Sequence, residues 1–292
     1  MKKLFLLLLC LSIMLAGCGK GDAPKSSGKL NIVTSFYPMA EFARQVGGDK
    51  VTVTNLIPDG IEPHEWEPTA KELGKIKSAD LFIYNGGVEP WAPKAIEAVS
   101  KEQAKVLEAG KGLLASNGKL DPHIWLSPRL AQQEIDAITA RLVQLDAKNK
   151  DYYIQNADAY KAKLQDLDKQ LKQITANSKR KEFVTTHAAF GRLAEDYGLK
   201  QISILGISPE AEPSPASLTQ LVYLIKDKNI HYVFFETLVS PKVAQTVAGE
   251  TKAQILVLNP LEGLTPEERT KGEDYLKIMQ QNIANLQKAL AD

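Results

Sequence analysis

Only four of the 292 residues are histidine, and three of these stand in short stretches with turn-like or polar neighbours. His64 lies in "IEPHEWEPTA" (61–70), His123 in "DPHIWLSP" (121–128), and His187 ends "FVTTH" (183–187). Neutral imidazole binds a borderline cation such as Zn2+ at about 2.0–2.1 Å, and a carboxylate oxygen can complete the tetrahedron. Two carboxylates occupy comparable settings: Glu236 in "VFFETLVSP" and Glu262 in "NPLEGLT". Both follow apolar runs, so residue type alone does not separate them. The glutamates around His64 (Glu62, Glu65 and Glu67) are poorer fourth ligands, because a neighbour's carboxylate could close the site only by straining a proline-bounded backbone. A solvated rim, or an acceptor orienting an imidazole N–H, suits them better. Spacing supplies no local zinc signature: 59 and 64 residues separate the histidines, with no H-E-x-x-H, cysteine cluster or histidine-rich tract. Taken singly, each is as readily a loop histidine with a local hydrogen bond.

The elements around them change that reading. Apolar, β-rich runs at 30–36, 51–57, 81–86 and 105–109 alternate with helical patterns near 38–47, 69–79 and 91–100. The alternation resumes with "FVTT", "ISILG", "YVFFE" and "ILVLN" as strands and helices near 188–198, 215–228 and 241–251. Thr69-Ala70-Lys71-Glu72 has capping-box spacing, and Ser127-Pro128 and Ser240-Pro241 read as an N-cap followed by proline at the first helical position. Alternating β and α implies two parallel-sheet α/β lobes. Ligand sites in such sheets lie outside the carboxyl ends of the strands. His64, His123 and His187 fall in loops at those ends, two in the first lobe and one in the second. His231 opens a strand, at the opposite end of its sheet, and reads as a surface or packing residue.

Between the lobes the period changes. Tyr153, Ala157, Tyr160, Leu164, Leu167, Leu171 and Ile174 recur at alternating spacings of four and three, and 150–178 contains neither glycine nor proline. This predicts one long amphipathic helix lying along both lobes. A coiled-coil dimer would need a longer and more uniform stripe, so a monomer is expected. The fold class is therefore α/β, with two parallel-sheet lobes bridged by a single stiff helix: 30–148, 149–179 and 180–292.

Composition is that of an ordinary globular chain, 44% hydrophobic and 24% charged, with a formal charge of +1 that gives no reason to expect a nucleic-acid partner. The N-terminus differs. Lys2 and Lys3 precede "LFLLLLCLSIMLAGC", an apolar run too short to span a bilayer comfortably, which reads as a signal peptide over 1–17. Leu15-Ala16-Gly17-Cys18 resembles the bacterial lipobox, which makes Cys18 the expected lipidation site, and the Gly-, Ser- and Lys-rich stretch to residue 29 a flexible tether. Cys10 would be removed with the signal, so no disulfide within the mature chain is expected. An extracytoplasmic protein anchored to the membrane by lipid is the consequence.

The combination "DGIEPHEWEPT", "DPHIWLSP", "THAAFGRLAEDYGL", "GISPEAEPSP" and "NPLEGLT" resembles the substrate-binding lipoproteins of zinc and manganese ABC transporters, most closely the zinc branch. The likeness runs from about residue 30 to the end. It implies two α/β lobes bridged by a long helix, a metal held in the cleft between them, and His64, His123, His187 and Glu262 as its ligands. It also implies an ABC permease and its ATPase as partners. Many zinc-type relatives carry a His- and Asp-rich loop between the first two ligand histidines; here residues 65–122 contain no histidine.

Three imidazoles with one carboxylate suit Zn2+ better than Mn2+, which favours oxygen-rich sets. A manganese-binding member of the same family is the alternative. A zinc hydrolase would leave one coordination position to water, but no nucleophile elbow or acid–base pair accompanies these histidines, and an enzyme is not expected. Nothing in the residues specifies an adhesin surface.

Overall fold

The computed structural model describes residues 28–99, 106–116, 118–209 and 213–291. The signal run, Cys18 and most of the tether lie outside the described residues.

The first lobe is a four-stranded parallel sheet of order β2-β1-β3-β4, built from β1 (Leu30–Thr34), β2 (Val51–Asn55), β3 (Leu81–Tyr84) and β4 (Val106–Glu108). Its crossovers are α1 (Tyr37–Gly47), α2 (Ala70–Ser78) and α3 (Ala92–Val99). A parallel sheet is covered on both faces, so its central strands read as continuous apolar runs; Ile32, Val33, Leu81, Phe82 and Ile83 are all buried. The capping box at Thr69 and Glu72 starts α2 as its spacing predicts. A small hairpin, β5 (Ala115–Ser116) with β6 (Lys119–Leu120), then leads to α4 (Pro128–Leu145), whose first turn is capped by Ser127 Oγ accepting from Leu130 N.

The bridge is α5, Lys150–Ala176. Its 27 residues at 1.5 Å each span about 40 Å. The buried stripe runs Tyr153, Ala157, Tyr160, Leu164, Leu167 and Leu171, and closes on Thr175, with Ile174 only partly buried.

The second lobe repeats the pattern in the order β10-β9-β7-β8, all parallel: β7 (Glu182–Thr185), β8 (Lys200–Ser203), β9 (Tyr232–Phe235) and β10 (Gln254–Val257). Its helices are α6 (Gly191–Asp196), α7 (Pro215–Asp227), α8 (Lys242–Thr251) and α9 (Pro266–Thr270). Helix α8 begins one residue later than Ser240-Pro241 suggests: Pro241 is the N-cap, and Ser240 Oγ accepts from Lys242 N at 3.4 Å. A last helix, α10 (Tyr275–Leu290), has no counterpart among the sequence-based expectations. Asp274 caps it by accepting from Lys277 N at 2.9 Å, and its buried Tyr275, Ile278, Met279 and Leu286 join the core that α5 also enters.

One hydrophobic core runs through the molecule, from Ile32, Phe36 and Phe42 in the first lobe through the α5 stripe to Phe183, Phe234 and Tyr275. Each sheet has a smaller cluster on its outer face. Polar contacts also cross between the lobes. Trp125 Nε1 donates to Pro260 O at 2.8 Å, Tyr275 OH to Trp125 O, and Gly60 N to Leu264 O at 2.8 Å. Arg269 grips Asp59 with two bonds of 2.8 Å, while on another part of the boundary Ser127 and Arg129 both bind Asp196. Lobes joined by a continuous core and such contacts are not free to hinge. Among the described residues no helix is long and apolar enough to cross a membrane.

Candidate metal centre

Four loops at the carboxyl ends of the two sheets meet at one point. The loop after β2 carries His64. Its turn passes through Gly60, whose φ of +83° only glycine adopts at low cost, and Glu62 Oε2 accepts from His64 N at 2.9 Å. Glu62 thus shapes its own loop, whereas Glu65 and Glu67 are exposed and form a rim. His123 precedes a single 3-10 turn, in a loop tied to β3 by buried Asn85, whose Nδ2 donates to Pro122 O at 2.9 Å. His187 leaves β7 with its carbonyl accepting from Thr185 Oγ1 at 2.7 Å and Gln201 Nε2 at 2.8 Å.

Glu262 follows β10 on a loop with an unusual backbone. Leu261 sits at φ +58°, a left-handed conformation that non-glycine residues rarely adopt and that costs about 1–3 kcal/mol. Neighbouring bonds hold it there. Asn259 Oδ1 accepts from Leu261 N at 2.8 Å, and Asn282 on α10 brackets Asn259 through both its N–H (2.8 Å) and its carbonyl (2.7 Å). Leu261 is itself fully buried.

The result is a tight cluster. Glu262 Oε1 stands 3.0 Å from His64 Nε2, 3.2 Å from His123 Nε2 and 3.6 Å from His187 Nε2. His64 and His123 Nε2 are 3.3 Å apart, and the four ligand atoms all lie within 4.8 Å of one another. A Zn2+ ion with bonds of about 2.0–2.1 Å in tetrahedral geometry needs donors about 3.3 Å apart. His123 and His187 are fully buried, Glu262 is 2% exposed, and the His187 Nε2 atom has no hydrogen-bond partner among the described residues. A buried imidazole nitrogen without a partner, facing a carboxylate and two more imidazoles, fits a cation between them.

Electrostatics points the same way. Burial alone would push Glu262 up and His123 and His187 down, but their mutual attraction outweighs it. Glu262 is held well below the usual carboxylate range by His187, His123 and His64. His187 is raised to about 10 by Glu262 and Glu236 acting against desolvation, and His123 is raised by Asp121 and Glu262 in the same way. Without metal, this carboxylate favours the protonated forms of His123 and His187.

Behind these four side chains stand two more acids. Asp121 Oδ1 accepts from His123 Nδ1 at 2.9 Å and from His123 N at 3.0 Å. Glu236 accepts from His187 N at 3.0 Å, from His187 Nδ1 and from Thr186 Oγ1. A carboxylate acceptor obliges each Nδ1 to carry the proton, which leaves Nε2 free to ligate. The four candidates His64, His123, His187 and Glu262 are therefore brought together, while Glu236 stays behind His187. His231 is exposed at the far end of β9. Asp121 and the Asn259–Asn282 pair were not singled out in the sequence; the signal for Asp121 was its place two residues before His123.

The family of periplasmic zinc-uptake complex component A proteins matches residues 32–289. The chain belongs to this family. Among its relatives is the high-affinity zinc uptake system protein ZnuA of Bacillus subtilis, 44% identical over 309 residues that cover 98% of this chain and 97% of that protein. The zinc-binding lipoprotein AdcA of Streptococcus pneumoniae is 42% identical over 98% of this chain, which spans only 60% of AdcA. The crystal structure of the Zn(II)-bound ZnuA-like domain of that AdcA superposes with a TM-score of 0.82 at 44% identity, covering 91% of this chain and 100% of the domain. The family is one of uptake components rather than enzymes.

Proposed function

We propose that this chain is the extracytoplasmic zinc-capturing component of an ABC importer, and that His64, His123, His187 and Glu262 hold the ion. The observation that carries this reading is the convergence of three imidazole Nε2 atoms on one buried carboxylate oxygen, at separations close to a tetrahedral edge for zinc. Four protein ligands leave no position for an activated water, which favours capture over hydrolysis. Three nitrogens and one oxygen favour Zn2+ over Mn2+.

In this reading Cys18 is acylated and anchors the protein to the outer face of the membrane. The tether from 18 to 29 gives it reach, lobes 30–148 and 180–292 close the site from two sides, and the bridge 149–179 fixes their separation. A permease and its ATPase receive the ion. Stripping the purified protein and titrating it with Zn2+ and Mn2+ in competition tests the proposal. One zinc per chain, preferred over manganese and lost on Glu262→Ala, is expected; preference for manganese, or turnover of ester or peptide substrates, overturns it.

A further inference from the structure

Gly191 opens α6, a helix of the second lobe, and nothing in its own backbone calls for glycine. Its φ is not in the left-handed region, and alanine is the better helix former by up to about 1 kcal/mol. The reason lies across the boundary between the lobes. A Cβ at position 191 would fall 2.5 Å from Asp121 Oδ2 and 3.7 Å from its Cγ, with Gln201 Oε1 next at 3.8 Å. Only the first of these lies inside van der Waals contact, so one carboxylate oxygen claims the space. What occupies it is the carboxylate whose other oxygen takes both the backbone N–H and the Nδ1–H of His123.

We propose that Gly191 is a positioning residue of the metal site: the missing side chain gives the Asp121 carboxylate the room it needs to hold His123 with Nε2 toward the ion. The inference rests on the zinc-capture reading for its consequence, but its geometry stands apart from it. With alanine at 191 the carboxylate must retreat by roughly 0.9 Å to reach ordinary van der Waals contact. Asp121 is short, and its Oδ1 is engaged twice by one residue, so the retreat loosens at least one of those two bonds. The protein need not unfold, because the obstacle is the end of a side chain rather than backbone. His123 then loses the acceptor that fixes its tautomer and ring angle. Loss of such a partner costs roughly 10–100-fold in metal affinity. Gly191 belongs to the second lobe and acts on a ligand of the first, so the site depends on how the lobes meet and not only on the four donors.

The test is a cycle of Gly191→Ala, Asp121→Ala and the double variant, read in two ways. In metal-free protein, NMR of the His123 ring should show the protected Nδ1–H signal in the wild type, weakened in Gly191→Ala and absent in both variants lacking Asp121. In zinc titrations each single variant should bind roughly tenfold more weakly, and the double variant no more weakly than Asp121→Ala alone. An unchanged Nδ1–H signal in Gly191→Ala, or losses that multiply in the double variant, overturns the proposal. A wild type that binds no zinc contradicts the capture reading, while the NMR arm still decides the role of Gly191. If Gly191→Ala does not fold, recovery of the fold by adding Asp121→Ala supports the same conclusion, and failure to recover overturns it.

Discussion

Glu236 takes the backbone N–H of His187 with one carboxylate oxygen, at 3.0 Å, and the ring Nδ1–H with the other. Both residues are buried, so the pair fixes the ring, its tautomer and the direction of Nε2 together.

That relationship ranks three substitutions. Glu262→Ala removes a proposed ligand and should weaken zinc binding by more than about 100-fold. Glu236→Ala leaves all four donors but frees the ring, and should cost roughly 10–100-fold. Glu65 is exposed on the rim, and Glu65→Ala should stay within about twofold. Competition with a chromophoric chelator measures all three, and a larger loss for Glu236→Ala than for Glu262→Ala would reverse the assignment of roles.

Proton competition should reach well above neutrality. The sign follows from the metal-free site: His123 and His187 are raised, His187 to about 10, and Glu262 is depressed. Zinc must displace those protons, so apparent affinity should keep rising with pH above 7 instead of levelling off once ordinary histidines near pH 6.5 are neutral. Calorimetry at pH 7.5 in buffers of different ionisation enthalpy should show net proton release on binding. No release at that pH would mean that His123 and His187 are already neutral.

Lobe closure should be small. The α5 stripe is uninterrupted, the core is continuous, and Arg269–Asp59 and Trp125–Pro260 cross between the lobes. Solution scattering of stripped and loaded protein should give nearly equal radii, with differences confined to the loops of His64, His123 and His187. A large contraction on loading would show a free hinge.

Glu134 on α4 should lower stability. It is fully buried, neither carboxyl oxygen has a hydrogen-bond partner among the described residues, and burial with nearby Glu89 raises it well above the usual carboxylate range. Its folded-state value exceeds its unfolded one, so the destabilising effect of forcing ionisation grows as pH rises above the unfolded value, near 4.5. Glu134→Met should therefore stabilise the protein at pH 8, by about 1–3 kcal/mol on the usual cost of an unsatisfied buried polar group. Thermal melts of the metal-free protein at pH 5 and pH 8 would check both the sign and the trend.

Cys18→Ala should abolish detergent partitioning and leave the precursor unprocessed or released. Phase separation of membrane fractions reads this directly; a wild type found wholly among secreted soluble proteins would exclude the anchor.

Much of this was legible because parallel strands and a long amphipathic helix write strong periodic signals. Runs such as "LFIY" and the stripe from Tyr153 have few competing readings. Helix α10 was harder, since Asn282 interrupts its apolar face, and that asparagine is there to hold the Glu262 loop. The choice between Glu236 and Glu262 could not be made from composition, as both follow strands. In the structure it turns on the left-handed backbone at Leu261, which a leucine does not advertise. Asp121 was in view within "DPHIWLSP", but its distance to the ring is a matter of three-dimensional placement.

The four donors lie far apart along the chain, with His64 and Glu262 separated by 198 residues. An ion bound to all four ties distant parts of the folded chain together and is released when the chain opens. It stabilises by binding the folded form alone, by about 2.7 kcal/mol at a free concentration roughly 100 times Kd. No cysteine among the described residues could supply a permanent link of that kind. The cargo is then also the brace, and loaded copies should outlast empty ones under protease, a difference in half-life that limited digestion of the two forms would measure. A cell short of zinc would accordingly lose carriers fastest among those with nothing to carry.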